Sequence, residues 1–293
     1  MVSVAIFLGL ALAFCFGTSD YLSKGLTESV GFFRTTVYTL ATSGALVLVP
    51  LALLGAPRPP SYTGLALLAL ISVSTFTAFL FMYRGYQKGN LSVVSPTVNS
   101  FPIFSVLFAV FVLKIQLSYD VVLALGGVIL GILLVSTDIS ALGQSRGGRL
   151  TPGVPDAILA AFLFAVGFTA LGYAEETVGY LLPVAAARLG AAAVGILAGV
   201  ALKRDLSPID GKPLLRLLAM GTLEAGGLLA FTLALFYSSS IAVLPITTTL
   251  AGMGVVFTVG YALILLKERV SPNYAVGILI LMASVATLLY LTG

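Results

Sequence analysis

The sequence predicts an all-α polytopic membrane protein: ten transmembrane helices as two inverted five-helix repeats. Three observations carry this expectation. Of the 293 residues, 59% are hydrophobic and only 9% are charged, and the mean hydropathy is +1.11. A soluble domain carries roughly 25% charged residues, so this chain is suited to a surface covered by lipid and not by water. The apolar runs are also continuous and about 20 residues long, the length that crosses a bilayer as a helix. A membrane β-barrel would instead alternate polarity over segments of about ten residues. Finally, the runs fall into two similar sets of five. An odd number of crossings turns the second set upside down relative to the first, and paired halves of this kind are built around a site near the midplane.

The first set places helix 1 at 3–24, helix 2 at 31–54, helix 3 at 62–85, helix 4 at 91–113 and helix 5 at 119–137. The first run begins almost at Met1 without a basic leader, so it is expected to be a retained span. A polar stretch follows with Gly143, Arg146, Gly147, Gly148, Arg149, Pro152 and Pro155, residues that break helices. It sets the expected organisation: a first repeat at 1–140, a connector at 141–155 and a second repeat at 156–293. The second set places helix 6 at 156–175, helix 7 at 179–202, helix 8 at 213–236, helix 9 at 241–265 and helix 10 at 272–291.

Matches in the same order relate the sets. Helix 4 opens with Leu91 to Pro96 and helix 9 with Ile241 to Pro245, each with an early proline. The turns after them, Lys114 to Ser118 and Lys267 to Ser271, also correspond. Beyond these turns, Ala124 and Gly131 match Gly277 and Ser284 as small residues seven apart, a spacing that lets another helix approach closely. Gly17-Thr18 in helix 1 parallels Gly167 and Thr169 in helix 6.

Lys and Arg concentrate in the odd-numbered connections, at Lys24, Arg84, Lys88, Arg146, Arg149, Lys203, Arg204, Lys212, Lys267 and Arg269. Positive residues stay in the cytoplasm, so both termini are expected outside. The formal charge of +4 is explained by these loops and gives no reason to expect a nucleic-acid partner. There is no histidine and one cysteine, Cys15. This excludes an intramolecular disulfide and removes the commonest metal ligand and proton switch. No cofactor or metal site is expected. An intramembrane enzyme has little to work with, because the buried carboxylates have no evident catalytic partner.

Polar residues deep in a span are costly and therefore point to function. Glu224 sits near the middle of helix 8, where it would meet a substrate ammonium or a proton. Asp20 lies four residues before Lys24, and an i,i+4 ion pair near the helix end is expected. Arg188, five residues after Pro183, is expected to snorkel to the interface; its other reading is a bidentate hold on a carboxylate. Arg34 at the start of helix 2 is read as interfacial too. On helix 3, Phe76, Phe79 and Tyr83 share one face, either as packing or as the wall of a site. On helix 4, Pro96, Asn99, Ser100 and Pro102 cluster within seven residues. Proline frees a carbonyl four residues back, and broken helices use such groups to bind solutes. Pro245, Thr247, Thr248 and Thr249 stand in the corresponding place on helix 9.

The candidate substrate-binding set is therefore Thr18, Phe79, Tyr83, Asn99, Glu224 and Thr248. The candidate helix-breaking or hinge positions are Gly17, Pro96, Gly167 and Pro245. Two sets of five helices, the early prolines and the turn Leu266 to Ser271 before a small-residue helix resemble the EamA-type repeat of the drug/metabolite transporter superfamily. In the first half Gln116 stands where the motif has a glutamate. The resemblance implies a secondary transporter, closest to bacterial exporters of amino acids, aromatic ones included, working by alternating access in the inner membrane. Few directional groups and no deep cluster of Arg and Lys suit a neutral or zwitterionic metabolite better than a phosphate. A multidrug or lipid-precursor exporter and a channel remain as alternatives, though no charge ring marks a channel filter. The expected partners are a small-molecule substrate and the bilayer, with proton coupling left open and a monomer as the simplest assembly.

Overall fold

The computed structural model describes residues 2–54, 61–112, 114, 116–136, 152–238, 247, 250–267, 273, 276–277, 279–280, 283–284 and 287. Their regular structure is helical throughout. In chain order the elements are α1 (Val2–Val30), α2 (Phe32–Leu54), α3 (Tyr62–Lys88), α4 (Leu91–Val98), α5 (Phe101–Phe111), α6 (Tyr119–Ser136) and α7 (Val154–Val178). There follow α8 (Leu181–Ala185), a π-helical turn (Ala186–Gly190), α9 (Ala191–Ala201), α10 (Lys212–Ser238) and α11 (Gly254–Ile264). Five helical stretches, Phe32–Leu53, Tyr62–Lys88, Val154–Val178, Leu181–Ala201 and Lys212–Ala234, are long and apolar enough to cross a membrane. Shorter apolar helices accompany them. Large apolar side chains such as Leu53, Leu197, Leu215 and Ile264 face outward, as they must in a chain solvated by lipid. The protein is a multi-pass membrane protein.

Local chemistry sets several boundaries. Gly31 separates α1 from α2 at φ +86, a left-handed turn that side chains disfavour. Ser61 caps α3 by accepting from the Gly64 N–H at 3.1 Å. The run expected as one helix 4 is two pieces. α4 ends at Val98, Asn99 and Ser100 form the break, and α5 restarts at Phe101. The cause is Pro102, which has no N–H to give the Val98 carbonyl. The expected helix 7 is also modified, at its π turn. Ser72 on α3 steadies that turn, with Oγ 3.0 Å from the Ala186 carbonyl.

The halves of the chain interlock. α1 packs chiefly on α10 and α11, and α3 packs chiefly on α7. Two glycine crossings allow this. A Cβ at Gly17 would run into the Gly254 carbonyl, and one at Gly153 would run into the carbonyl of Gly85. Gly153 also holds φ +87 just before α7 begins.

Polar groups gather where the end of α1, the end of α3, the start of α7 and the α9–α10 connection meet. Lys24 donates to the carbonyls of Tyr86 and Gly89 at 2.8 and 2.9 Å and pairs with Glu28 at 3.1 Å. The expected Asp20–Lys24 pair therefore does not form: the ammonium reaches past its own helix to the exposed carbonyls of the α3–α4 turn. Asp156 of α7 pairs with Lys88 at 2.6 Å and Arg84 at 3.6 Å. Arg34, read as interfacial, ties α2 to the α9–α10 connection through Asp205 at 3.3 Å and the carbonyls of Ser207 and Pro208, both at 2.8 Å. The Ser207 backbone N–H, then its side chain, and Arg34 beyond, hold the exposed Asp205 carboxyl below its ordinary value.

Candidate functional site

Between the two halves lies a cavity with about 610 Å³ of empty space, counted out to its mouth. Its walls are aromatic. Phe101 stacks on Phe168 at 5.1 Å, Phe168 meets Phe231 at 4.8 Å, and Phe164 meets Phe79 edge-on at 5.2 Å. Helix periodicity presents these rings together: Phe164 and Phe168 are i,i+4 on α7 and face α3 and α5. Such edge-to-face and offset contacts favour a rigid apolar wall.

Three ionisable side chains interrupt the apolar lining: Arg188, Glu224 and Asp20. Arg188 is 2% exposed and Glu224 3%. One guanidinium nitrogen, Nη2, donates both to the Glu224 carboxylate and to its main-chain carbonyl, each at 3.0 Å. The guanidinium also lies over the Phe79 ring, 5.2 Å from its centre, a cation–π contact. Its Nε is buried with no hydrogen-bond partner. This overturns the expectation that Arg188 snorkels. The π turn directs it inward, and a buried Glu224 compensates the charge that would otherwise have to reach water. π turns are rare and frequently mark functional sites.

Asp20 is buried differently. Its Oδ2 accepts from Ser95 at 3.0 Å and from Asn99 at 3.2 Å, with Thr258 at 3.4 Å. Asn99 stands at the break between α4 and α5, so the interruption that frees a carbonyl also brings an amide to this carboxylate.

Of the residues singled out in the sequence, Phe79, Asn99, Gly167 and Glu224 line the cavity. Thr18 does not; its hydroxyl lies 2.8 Å from the Phe14 carbonyl and 3.2 Å from the Tyr261 hydroxyl. Tyr83 is fully buried behind Phe79, ring to ring at 5.6 Å. Gly17 serves the α1–α11 crossing, and Pro96 lies inside α4. Thr248 and Pro245 lie outside the described residues. Asp20 and Arg188 line the cavity too; the sequence had favoured a helix-end ion pair for the first and snorkelling over a carboxylate hold for the second. Their signal was present, a charge deep within an apolar run, but a nearby Lys and a helix end offered cheaper explanations.

Residues 3–137 match the model of the EamA-like transporter family. A crystal structure, identified only as that of a protein, shares the fold with a TM-score of 0.71 over 99% of this chain and 97% of its own, at 17% identity. No curated protein matches the chain.

Proposed function

We propose that this protein is a secondary transporter that exports amino acids or similar small amphipathic zwitterions by alternating access. The supporting observation is the Arg188–Glu224 pair on the wall of an aromatic cavity. The pair is neutral overall, and so is a zwitterion. A substrate carboxylate would take the unpartnered edge of Arg188, and its ammonium would take Glu224. The incoming charges then replace the ones the pair gives up, and no net charge is brought into the low-dielectric interior. Phe79 and the α7 rings would hold the side chain, with Asn99 at the opposite wall.

In this reading the two halves, 1–140 and 156–293, are inverted five-helix repeats joined by a connector at 141–155. The matching turns support it: Lys114 and Lys267, equivalent in sequence, both adopt φ 56. Gly17, Pro96, Gly167 and Pro245 would flex as the halves rock, and Thr18, Tyr83 and Thr248 would support the site or join it in another state. The protein would sit as a monomer in a bacterial inner membrane with its termini outside. The test is uptake of radiolabelled amino acids and a cationic dye into liposomes holding the purified protein, with and without a pH gradient. Saturable amino-acid uptake that is lost in Arg188→Met is expected. Dye transport without amino-acid uptake would replace this reading with a multidrug exporter.

A further inference from the structure

We propose that Ser72 on α3 and Gly190 are positioning residues for Arg188: together they hold the π turn that aims its guanidinium into the cavity, and so set the preference for a solute that carries a carboxylate. The aiming stands on the geometry of the turn, and only the carboxylate preference rests on the zwitterion reading. Neither residue is among those that line the cavity. They act through the backbone that carries Arg188.

In an α-helix the Ala186 carbonyl would accept from the N–H of Gly190, four residues on. Here it accepts from the N–H of Ala191, five residues on, and the Ser72 hydroxyl approaches it at 3.0 Å. A Cβ on Gly190 would run into that hydroxyl. The α3 side chain thus sits beside the place where the α-helical bond would form. A side chain inserted into the hydrogen-bond ladder is one of the few causes of a local break in a helix. The Ser72 hydroxyl is buried and has a second acceptor, the Leu68 carbonyl of its own helix, at 2.8 Å. It has one hydrogen for the two carbonyls, and the bare glycine at 190 leaves it room to serve the turn. On another side the turn rests against α2. A Cβ on Gly44 would lie 2.7 Å from the Leu189 side chain and 3.2 Å from the Leu189 nitrogen.

A π turn holds one residue more than an α turn. Were it to relax, Arg188 would rotate by one residue step, about 100°, away from the Glu224 carboxylate and the Phe79 ring that it now meets. Its hydrogen bonds to Glu224 both run through Nη2, and its Nε has no partner. A guanidinium held along one edge depends on its backbone for direction. Gly44 and Ser72 belong to the first half of the chain and Arg188 to the second. A displacement between the halves therefore reaches the group that would hold the carboxylate.

The experiment pairs thermal unfolding of the purified full chain with uptake of radiolabelled phenylalanine into liposomes. Unlabelled phenylalanine and phenylalaninamide, which lacks the carboxylate, are the competitors. Ser72→Ala is compared with Ser74→Ala, a control on the same helix whose hydroxyl bonds to Ile71 of that helix. In Ser72→Ala the preference for phenylalanine over its amide falls about tenfold, the worth of one hydrogen bond to a charged group. Adding Arg188→Met to Ser72→Ala lowers the midpoint by less than half of what Arg188→Met costs in wild type, because a re-aimed Arg188 has already left Glu224. Ser74→Ala keeps the wild-type value of both. Should Ser72→Ala fail to fold, Gly190→Ala, which drives a methyl onto the Ser72 hydroxyl, must show the same two losses. Midpoint costs of Ser72→Ala and Arg188→Met that add to within about 1 °C overturn the inference, and so does a preference left intact in Ser72→Ala. If wild type takes up no phenylalanine, or does not prefer it to the amide, the zwitterion reading fails. The midpoints then decide by themselves whether Ser72 aims Arg188.

Discussion

Two buried carboxylates face one cavity and are stabilised in opposite ways. Glu224 has a full ionic partner, Arg188, fixed by the π turn and by the Phe79 ring. Asp20 has only neutral donors, from Ser95, Asn99 and Thr258. The first arrangement is balanced and breaks badly when one member is lost. The second rests on hydrogen bonds and is expected to tolerate removal of the carboxyl group's charge. The difference separates a carboxylate that depends on a counter-ion from one that depends on hydrogen bonds.

The strongest test of this contrast is Arg188→Ala. It leaves Glu224 buried without its partner, and a loss of about 3–5 kcal/mol in unfolding free energy is expected. Replacing both members, Arg188→Met with Glu224→Leu, should recover most of that stability while uptake stays absent. A single substitution no worse than the double would show that the pair is not coupled. Next in size is Phe168→Ala. It removes the ring that touches Phe101, Phe164 and Phe231, and about 3 kcal/mol should be lost with the cavity wall. Gly17→Val forces a side chain onto the Gly254 backbone. A cost of about 2 kcal/mol is expected from overpacking, with transport falling further than stability because the α1–α11 crossing is held apart.

Asp20→Asn is the mirror of Arg188→Ala. With no ionic partner to orphan, it should change stability by no more than about 1 kcal/mol. A loss as large as that of Arg188→Ala would erase the contrast. The smallest effect belongs to the polar end. Arg34→Ala should cost at most about 1 kcal/mol, and Asp205→Asn should lower the midpoint slightly near neutral pH and have no effect in strong acid. Because Asp205 titrates below its ordinary value when folded, any contribution it makes is present above that value. It is lost only as pH falls through the depressed one, so an acid titration of the midpoint is the check.

The sequence was most legible where one residue type suffices. A continuous apolar run can only be a helix in lipid, because every backbone group must bond within its own segment. Composition and run length therefore identified the five spans found among the described residues, whereas the turn at Gly31 and the cap at Ser61 became visible only in the structure. The proline cluster at Pro96 to Pro102 foretold an interruption, although its position, at Asn99 and Ser100, needed the backbone. Glu224 was readable as a deep charge because nothing nearby in sequence explained it away. Asp20 and Arg188 were hidden by local alternatives: an i,i+4 lysine for one and a snorkelling path for the other.

By itself, then, the sequence determined the solvent of this protein, its helical class and the rarity of charge inside its apolar runs. Only the tertiary structure decided which charges meet. Arg188 and Glu224 are 36 residues apart, and Asp20 and Thr258 are 238 apart. Ion pairing and hydrogen bonding depend on separations of a few ångströms, and no period along the chain encodes contacts across such distances. They arise from glycine-permitted crossings and from two local defects, the π turn at Arg188 and the break at Asn99.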